Sequence, residues 1–189
     1  MISIAPDSGQ VDRLGGFPGA LALVYRSSRD DGSLHFIKVD RDQAITTRWE
    51  IASGQDTILD QSGSTQFVAM TMPDERRLIR ADRHEIALKP VDGNKWQALV
   101  ATPYLQHTVT SDGEWVLYHG TDSAGNHALL RAATAGGAPE RLGSFPSPSY
   151  LGSMEISIDG RHIVTASYDY EHGFDLWALD NFIPVIPKR

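Results

Sequence analysis

Apolar residues in this chain alternate with polar ones or form short runs, and glycine, proline, aspartate and serine separate the runs. Runs of this kind between turn residues are typical of β-strands, whereas an amphipathic helix needs apolar residues every three or four positions. Val116-Leu117-Tyr118 and Ile163-Val164-Thr165 are examples, and their branched and aromatic residues favour a pleated sheet. The pattern predicts an all-β chain.

The turn residues recur at a regular spacing. Two motifs, Ser8-Gly9-Gln10 and Ser53-Gly54-Gln55, lie 45 positions apart, and the glycine series continues at Gly93 and Gly137. A second marker is a turn aspartate, which recurs at Asp74, Asp112 and Asp159. A repeat of about 40–45 residues is the signature of a β-propeller blade.

Each repeat divides into four predicted strands. An aspartate suits a tight hairpin because its carboxylate bonds to the local backbone, and a following glycine accepts a positive φ. After this hairpin come a second strand, a polar gap, a third strand, a glycine turn and a fourth strand. Four short antiparallel strands per repeat form a propeller blade and not the coil of a β-helix. We therefore predict a β-propeller of about four blades.

The repeats predict one β-propeller domain over residues 1–189. Its units are a partial blade at 1–15, three full blades at 17–60, 64–101 and 104–145, and a three-stranded blade at 150–182. Two arrangements fit this count. Residues 2–14 close a small ring by pairing with the last unit, or the chain is the C-terminal part of a longer propeller or half of a ring completed by another copy. An open array would expose sheet edges and invite association.

The central repeat carries a family resemblance. Thr110-Ser111-Asp112-Gly113-Glu114-Trp115-Val116-Leu117-Tyr118, with Gly136-Gly137-Ala138-Pro139-Glu140-Arg141-Leu142 after it, resembles the repeat of TolB-like, WD40-like propellers. That family repeats Ser-Pro-Asp-Gly, two strands, and Gly-Gly followed by a leucine. Here Ser111-Asp112-Gly113 lacks the proline, Pro73-Asp74 lacks the glycine, and Ile158-Asp159-Gly160 lacks serine and proline. The resemblance is clearest over residues 66–180. It implies a propeller that binds partner proteins across the ring face or at the mouth of the central channel.

Charge and composition narrow the choice of partners. The formal net charge is -7, and the basic residues are mixed with acidic ones, so no cationic surface for nucleic acid is expected. The absence of cysteine excludes disulfides and thiolate sites. Residues 1–20 have no basic start and no long apolar segment, so we expect no signal peptide and no membrane insertion. The compartment stays open: cytoplasmic as written, or periplasmic if the chain derives from a secreted precursor.

No dense catalytic or metal-binding motif is present in the sequence. His107 and His119 flank a predicted hairpin and could approach each other, but none of the seven histidines belongs to a recognisable ligand motif. No Gly-x-Ser-x-Gly nucleophile turn occurs. Asp30-Asp31-Gly32-Ser33 and Asp40-Arg41-Asp42 resemble calcium loops, but further oxygen ligands are missing at the required spacing, so solvated turns are predicted. We expect no catalytic residue, no cofactor and no metal.

These observations favour a non-catalytic β-propeller module, a scaffold for protein–protein interaction or self-association. Two alternatives remain. The chain is an accessory propeller that gates a prolyl-oligopeptidase-like hydrolase domain, or it is the C-terminal sensory propeller of a bacterial regulator or kinase. The fold alone does not choose between them.

Candidate binding residues come from the connections between blades. In a propeller, the connection from a fourth strand to the next first strand crosses one face toward the central channel. Tyr104 and Tyr150 occupy matching positions in two such connections, and His107 is a polar neighbour. A tyrosine combines a wide apolar ring with a hydroxyl, which suits an interface hot spot. We therefore expect Tyr104, His107 and Tyr150 at the channel mouth.

Overall fold

The computed structural model describes residues 2–4, 11–13, 22–27, 32–50, 52–63, 69–82, 84–102, 106–144, 150–157, 161–169 and 173–180. Every regular element among these residues is a β-strand, and none of them is helical. The all-β expectation is confirmed. The chain divides into two compact units, residues 1–70 and residues 71–189, which are described in turn. The expectation of a single domain with the repeat boundaries given above stays a prediction.

The first unit contains a two-stranded and a four-stranded antiparallel sheet. Its strands are β1 (Ile2–Ile4) paired with β2 (Val11–Arg13), and a meander of β3 (Ala22–Ser27), β4 (Ser33–Asp40), β5 (Gln43–Glu50) and β6 (Asp56–Ser62). Asp40 pairs with Gln43, so the calcium-like segment 40–42 is the tight turn between β4 and β5. Of the other calcium-like segment, residues 30–33, the first two lie outside the described residues.

Three further antiparallel meanders follow, here called sheets A, B and C. Sheet A contains β7 (Ala69–Thr71), which spans the border of the two units, β8 (Arg77–Ala81), β9 (Glu85–Pro90) and β10 (Gln97–Ala101). Sheet B contains β11 (His107–Val109), β12 (Trp115–Thr121), β13 (His127–Ala133) and β14 (Glu140–Ser144). Sheet C contains β15 (Tyr150–Ile156), β16 (His162–Asp169) and β17 (Gly173–Asp180).

The first hairpin is built in the same way in all three sheets. A backbone N–H donates to the carbonyl five residues later, from Met72 to Arg77 at 2.9 Å, from Thr110 to Trp115 at 3.0 Å and from Ser157 to His162 at 2.9 Å. In sheets B and C the hydroxyls of Thr110 and Ser157 also accept from the N–H of that later residue. The common register explains why the turn aspartates recur in the sequence.

Two of the three turn aspartates lie among the described residues. The Asp74 carboxylate accepts the N–H groups of Arg76 and Arg77 at 3.0 and 3.2 Å, and Asp112 accepts the N–H of Glu114 at 2.9 Å. The residue after each aspartate is left-handed: Gly113 has φ 72° and Glu75 has φ 55°. A left-handed residue with a side chain is strained, whereas glycine is not. Asp159 lies outside the described residues.

The second strands of sheets A and B are buried on both faces. In β12, residues Val116, Leu117, Tyr118 and His119 are each at most 2% exposed. On one face, Leu117 and Leu129 of sheet B form a cluster with Met154 and Ile163 of sheet C. When both faces of a sheet are covered, the sequence of its strand is a continuous apolar run and not an alternation of apolar and polar residues. Face-to-face packing of sheets B and C therefore builds the core of this part of the unit.

Polar contacts add to this packing on either side of sheet B. The Arg77 guanidinium of sheet A donates to the Asp74 carboxylate at 2.7 Å and to the Gly113 carbonyl of sheet B at 3.1 Å. The ring Nε2 of His119 lies 3.2 Å from the Thr165 hydroxyl of sheet C. Burial, with a smaller effect of the charge of His127, lowers the pKa of His119 to about 4. His119 is therefore held neutral between sheets B and C.

Replacing Glu75 by glycine is expected to stabilise the protein by about 0.5–1 kcal/mol, because the left-handed strain exceeds the entropy that glycine gains in the unfolded chain. For a chain of this size the melting temperature should rise by roughly 2 °C. The control is Glu114→Gly, at an exposed turn residue without positive φ, which should lower stability. Thermal and urea unfolding measure both, and an unchanged or lower stability of Glu75→Gly would contradict the assignment.

Stability is expected to fall as the pH falls from about 6.5 to about 4, since the unfolded chain protonates His119 in this window and the folded chain does not. The depressed pKa sets an upper limit of about 3 kcal/mol on this loss. His119→Gln should flatten the pH dependence of the unfolding free energy, although repacking lowers stability at every pH. Equal slopes for wild type and His119→Gln would refute the burial of a neutral imidazole.

Candidate protein-interaction face

The meander topology brings two kinds of connection to the same end of each sheet in the second unit. The loops between second and third strands lie at this end, and the chain also leaves each fourth strand and enters the next first strand here. We call this end of sheets A and B the connection face. It comprises the loops 82–84 and 121–126 and the connection 102–106. Residues 83 and 103–105 lie outside the described residues.

The connection 102–106 is fixed at both described ends. The buried Thr102 donates its hydroxyl to the His119 carbonyl at 2.9 Å, and its N–H donates to the His84 carbonyl at 3.0 Å. At the other end the His119 N–H donates to the Gln106 carbonyl at 3.4 Å. The same residue of β12 thus bonds to both described ends of the connection.

An aspartate organises each loop of the connection face. The Asp82 carboxylate accepts the N–H groups of His84 and Glu85 at 2.8 and 2.9 Å. The Asp122 carboxylate accepts the N–H groups of Ala124 and Asn126, both at 2.9 Å. The N–H of Asn126 is the main cause that lowers the pKa of Asp122, so this carboxylate is ionised at neutral pH. In both loops these charge-assisted bonds hold described backbone N–H groups.

The predicted site residues are only partly within the described part of the chain. Tyr104 lies outside it. His107 begins β11 and is half-buried, and Tyr150 begins β15, where its backbone pairs with Tyr168 but its side chain is not described. β11 lies beside β15. His107 and Tyr150 therefore begin neighbouring first strands, whereas their role in binding stays a prediction.

His107 and His119 do not come together as a ligand pair. His107 is directly opposite Tyr118 in the pairing of β11 with β12. Opposite residues share a face and successive residues alternate between faces, so the two histidines project from opposite faces of sheet B. Over the described residues, no three His, Asp or Glu side chains are grouped closely enough to hold a metal ion.

A cleft of about 480 Å³ opens at the connection face beside sheet B. Its floor is a row of three cross-strand neighbours on one face of the sheet, Tyr118 of β12, Leu130 of β13 and Arg141 of β14. The rim comes from the loop residues Thr121, Asp122 and Ser123, and from Ala101 and Pro139. We call this space the Tyr118 cleft.

A β-bulge places Arg141 in that row. Leu129 pairs with Gly143, and regular pairing would then set Leu130 opposite Leu142, but the register shifts and Leu130 faces Arg141. Leu142 instead packs against the apolar cluster between sheets B and C. A shift of one residue exchanges the faces of a strand. The bulge thus gives the cleft a cation and the core an additional leucine.

Arg141 and Asp122 form an ion pair in the cleft. Arg141 Nε lies 3.4 Å from Asp122 Oδ2, and an Arg141 Nη also donates to the Ser144 hydroxyl. The Arg141 side chain is 48% exposed, whereas that of Asp122 is mostly buried. Gly120 keeps the floor open, because a Cβ built there would lie 2.7 Å from Leu130 and 3.2 Å from the Tyr118 ring. A glycine within a strand is typical of such close approach.

Sequence reasoning missed the Tyr118 cleft. Tyr118 lies within the segment identified as a strand, and Asp122 lies just after it. Arg141 is about twenty residues further along the chain, so the sequence does not indicate that it lies near them. Only Gly120, two residues after the apolar run Val116-Leu117-Tyr118, gave a local signal. In the part of the chain that the structure describes, no helix is long and apolar enough to cross a membrane.

No protein-family model matches the chain, and no curated protein is similar to it. Solved structures are similar in fold. TolB from Acinetobacter baumannii shares 16% identity with a TM-score of 0.69 over 95% of this chain. A putative TolB from Agrobacterium tumefaciens shares 18% identity with a TM-score of 0.66 over 90% of this chain. An oligogalacturonate lyase in complex with manganese shares 14% identity with a TM-score of 0.70 over 96% of this chain.

The chain spans about half the length of these proteins, 46% of the Acinetobacter TolB, 56% of the lyase and 62% of the Agrobacterium protein. Identities at this level are informative about fold alone. The four-stranded antiparallel sheets and these likenesses agree with the resemblance found in the repeat sequence. The chain has the fold of a TolB-like β-propeller.

Proposed function

We propose that this chain is a non-catalytic β-propeller module that binds a protein partner through its connection face. The observation that carries the proposal is the Tyr118 cleft, a space of about 480 Å³ lined by both apolar and polar side chains. A binding site typically combines apolar walls with a few placed polar groups.

The hydrogen bonds within the described part of the face support the same proposal. Thr102 and Gln106 bond to β12, and Asp82 and Asp122 bond to backbone N–H groups of their loops. A pre-formed surface loses little conformational entropy when a partner binds. We extend the proposed surface to Tyr104, His107 and Tyr150, which the sequence places on or next to the connections between blades.

The neighbours in fold do not decide between binding and catalysis. They include TolB proteins, an oligogalacturonate lyase with manganese and a prolyl endopeptidase, the last at 15% identity and a TM-score of 0.58. One fold hosts many functions, and function belongs to a site. The second candidate is therefore an accessory propeller of a peptidase, and the experiment below distinguishes it by the identity of the captured partner.

A photo-crosslinking amino acid at Ser123 is expected to capture a specific protein partner in the native host, because this exposed residue lies on the rim of the Tyr118 cleft. The matched control carries the same group at Glu114, an exposed residue in the turn at the opposite end of sheet B. Mass spectrometry of the adducts is the measurement. No adduct at position 123, or the same adducts at both positions, would contradict the proposal.

The double change Tyr104→Ala and Tyr150→Ala tests the wider surface in the same assay. If the two tyrosines act as interface hot spots, the yield of adduct at position 123 should fall about tenfold while the melting temperature stays constant. A large drop in melting temperature would instead show that the tyrosines pack in the core. That result would remove them from the site and leave the cleft in place.

A further inference from the structure

The Tyr118 hydroxyl is a polar group that the fold leaves available. Tyr118 is only 2% exposed, and it lines the cleft. No residue that the structure describes donates a hydrogen bond to this hydroxyl or accepts one from it. The ring is buried, but the hydroxyl oxygen is not one of the fully buried polar atoms that lack a partner, so solvent reaches it. The remaining open side of the hydroxyl is the cleft.

The other groups of the cleft offer mainly donors. A guanidinium has five N–H groups, and Arg141 uses one on Asp122 and one on the Ser144 hydroxyl, so three remain. The carboxylate of Asp122 is already engaged, since Oδ1 accepts two backbone N–H groups and Oδ2 faces Arg141. Ser123 adds an exposed hydroxyl. The cleft therefore has unused donors for a further hydrogen-bond acceptor.

We propose that the Tyr118 cleft binds a carboxylate group of a partner polypeptide, with Arg141 and the Tyr118 hydroxyl as its hydrogen-bond donors and Leu130 and Pro139 against the adjoining apolar side chain. The carboxylate comes from a C-terminus or from an acidic side chain. This inference rests on the proposed function and gives it a chemical class of ligand.

The physical chemistry of the two donors favours a charged acceptor. Burial raises the pKa of Tyr118 to about 12, so the hydroxyl keeps its proton across the physiological range and donates. Arginine binds carboxylates through parallel N–H donors, and charge-assisted bonds are about twice as strong as neutral ones. The apolar side chains of Leu130 and Pro139 next to these donors fit a peptide better than a free inorganic anion.

The test uses three blocked dipeptides and amide chemical shifts of the whole chain measured by NMR. Acetyl-Ala-Leu with a free carboxylate represents a C-terminus, acetyl-Glu-Leu-amide represents an acidic side chain, and acetyl-Ala-Leu-amide is the neutral control. At least one charged peptide should shift the amides of Thr121, Asp122 and Ser123 with a Kd of about 1–10 mM, and the neutral peptide should not. The charged peptide that binds identifies the source of the carboxylate.

Two variants assign the donors. Arg141→Met should weaken binding of the charged peptide by about tenfold, and Tyr118→Phe, which keeps the ring, by about fivefold. Arg76→Met removes the same charge from an exposed turn outside the cleft and should leave the Kd unchanged. Thermal unfolding of each variant reports whether it is folded.

The proposal is overturned if no peptide shifts the rim amides, if the neutral peptide binds equally well, or if Arg76→Met weakens binding as much as Arg141→Met. A partner crosslinked at position 123 together with any of these results would leave the protein-binding function standing and remove the carboxylate. If no partner is crosslinked at position 123 but only a charged peptide shifts the rim amides, the carboxylate site would stand and the protein-binding function would be removed.

Discussion

The packing of sheet B against its neighbours on both faces is the constraint on which the second unit depends. Five of the seven residues of β12 are buried, and Leu117 on one face meets Met154 and Ile163 of sheet C. Full burial of a leucine side chain stabilises the folded state by about 2 kcal/mol. A four-stranded sheet with two apolar faces needs another layer packed against each face to bury both. The polar contacts of Arg77 and His119 bridge the same junctions.

The same packing positions the candidate site. β12 contributes Leu117 to the core and, one residue later, Tyr118 to the cleft, because successive residues of a strand alternate between faces. The bulge between β13 and β14 separates Leu142 from Arg141 in the same way. Core and cleft are thus two faces of one sheet, so changes in the core residues of β12 should also disturb the cleft.

The sequence was sufficient for the repeating part of the fold. The aspartate turns and the apolar runs after them predicted the hairpins and β8, β12 and β16, because these features arise from local backbone chemistry. The left-handed conformation of Glu75 was not predicted. It became evident only when the structure placed Glu75 at the turn position that Gly113 occupies in sheet B. The neutral His119, the bulge and the cleft depend on contacts between residues distant in the chain, such as His119 with Thr165, and a single sequence does not contain that information.

Amide hydrogen exchange of the Leu117→Ala variant tests most directly whether the junction of sheets B and C holds this unit together. Truncation of Leu117 should speed exchange in β12 and in β16 alike, although β16 belongs to the other sheet. Val116→Ala, on the opposite face of the same strand, is the control and should affect β16 less. Faster exchange confined to β12 in the Leu117→Ala variant would show that sheet C is stable without this packing and would contradict the account.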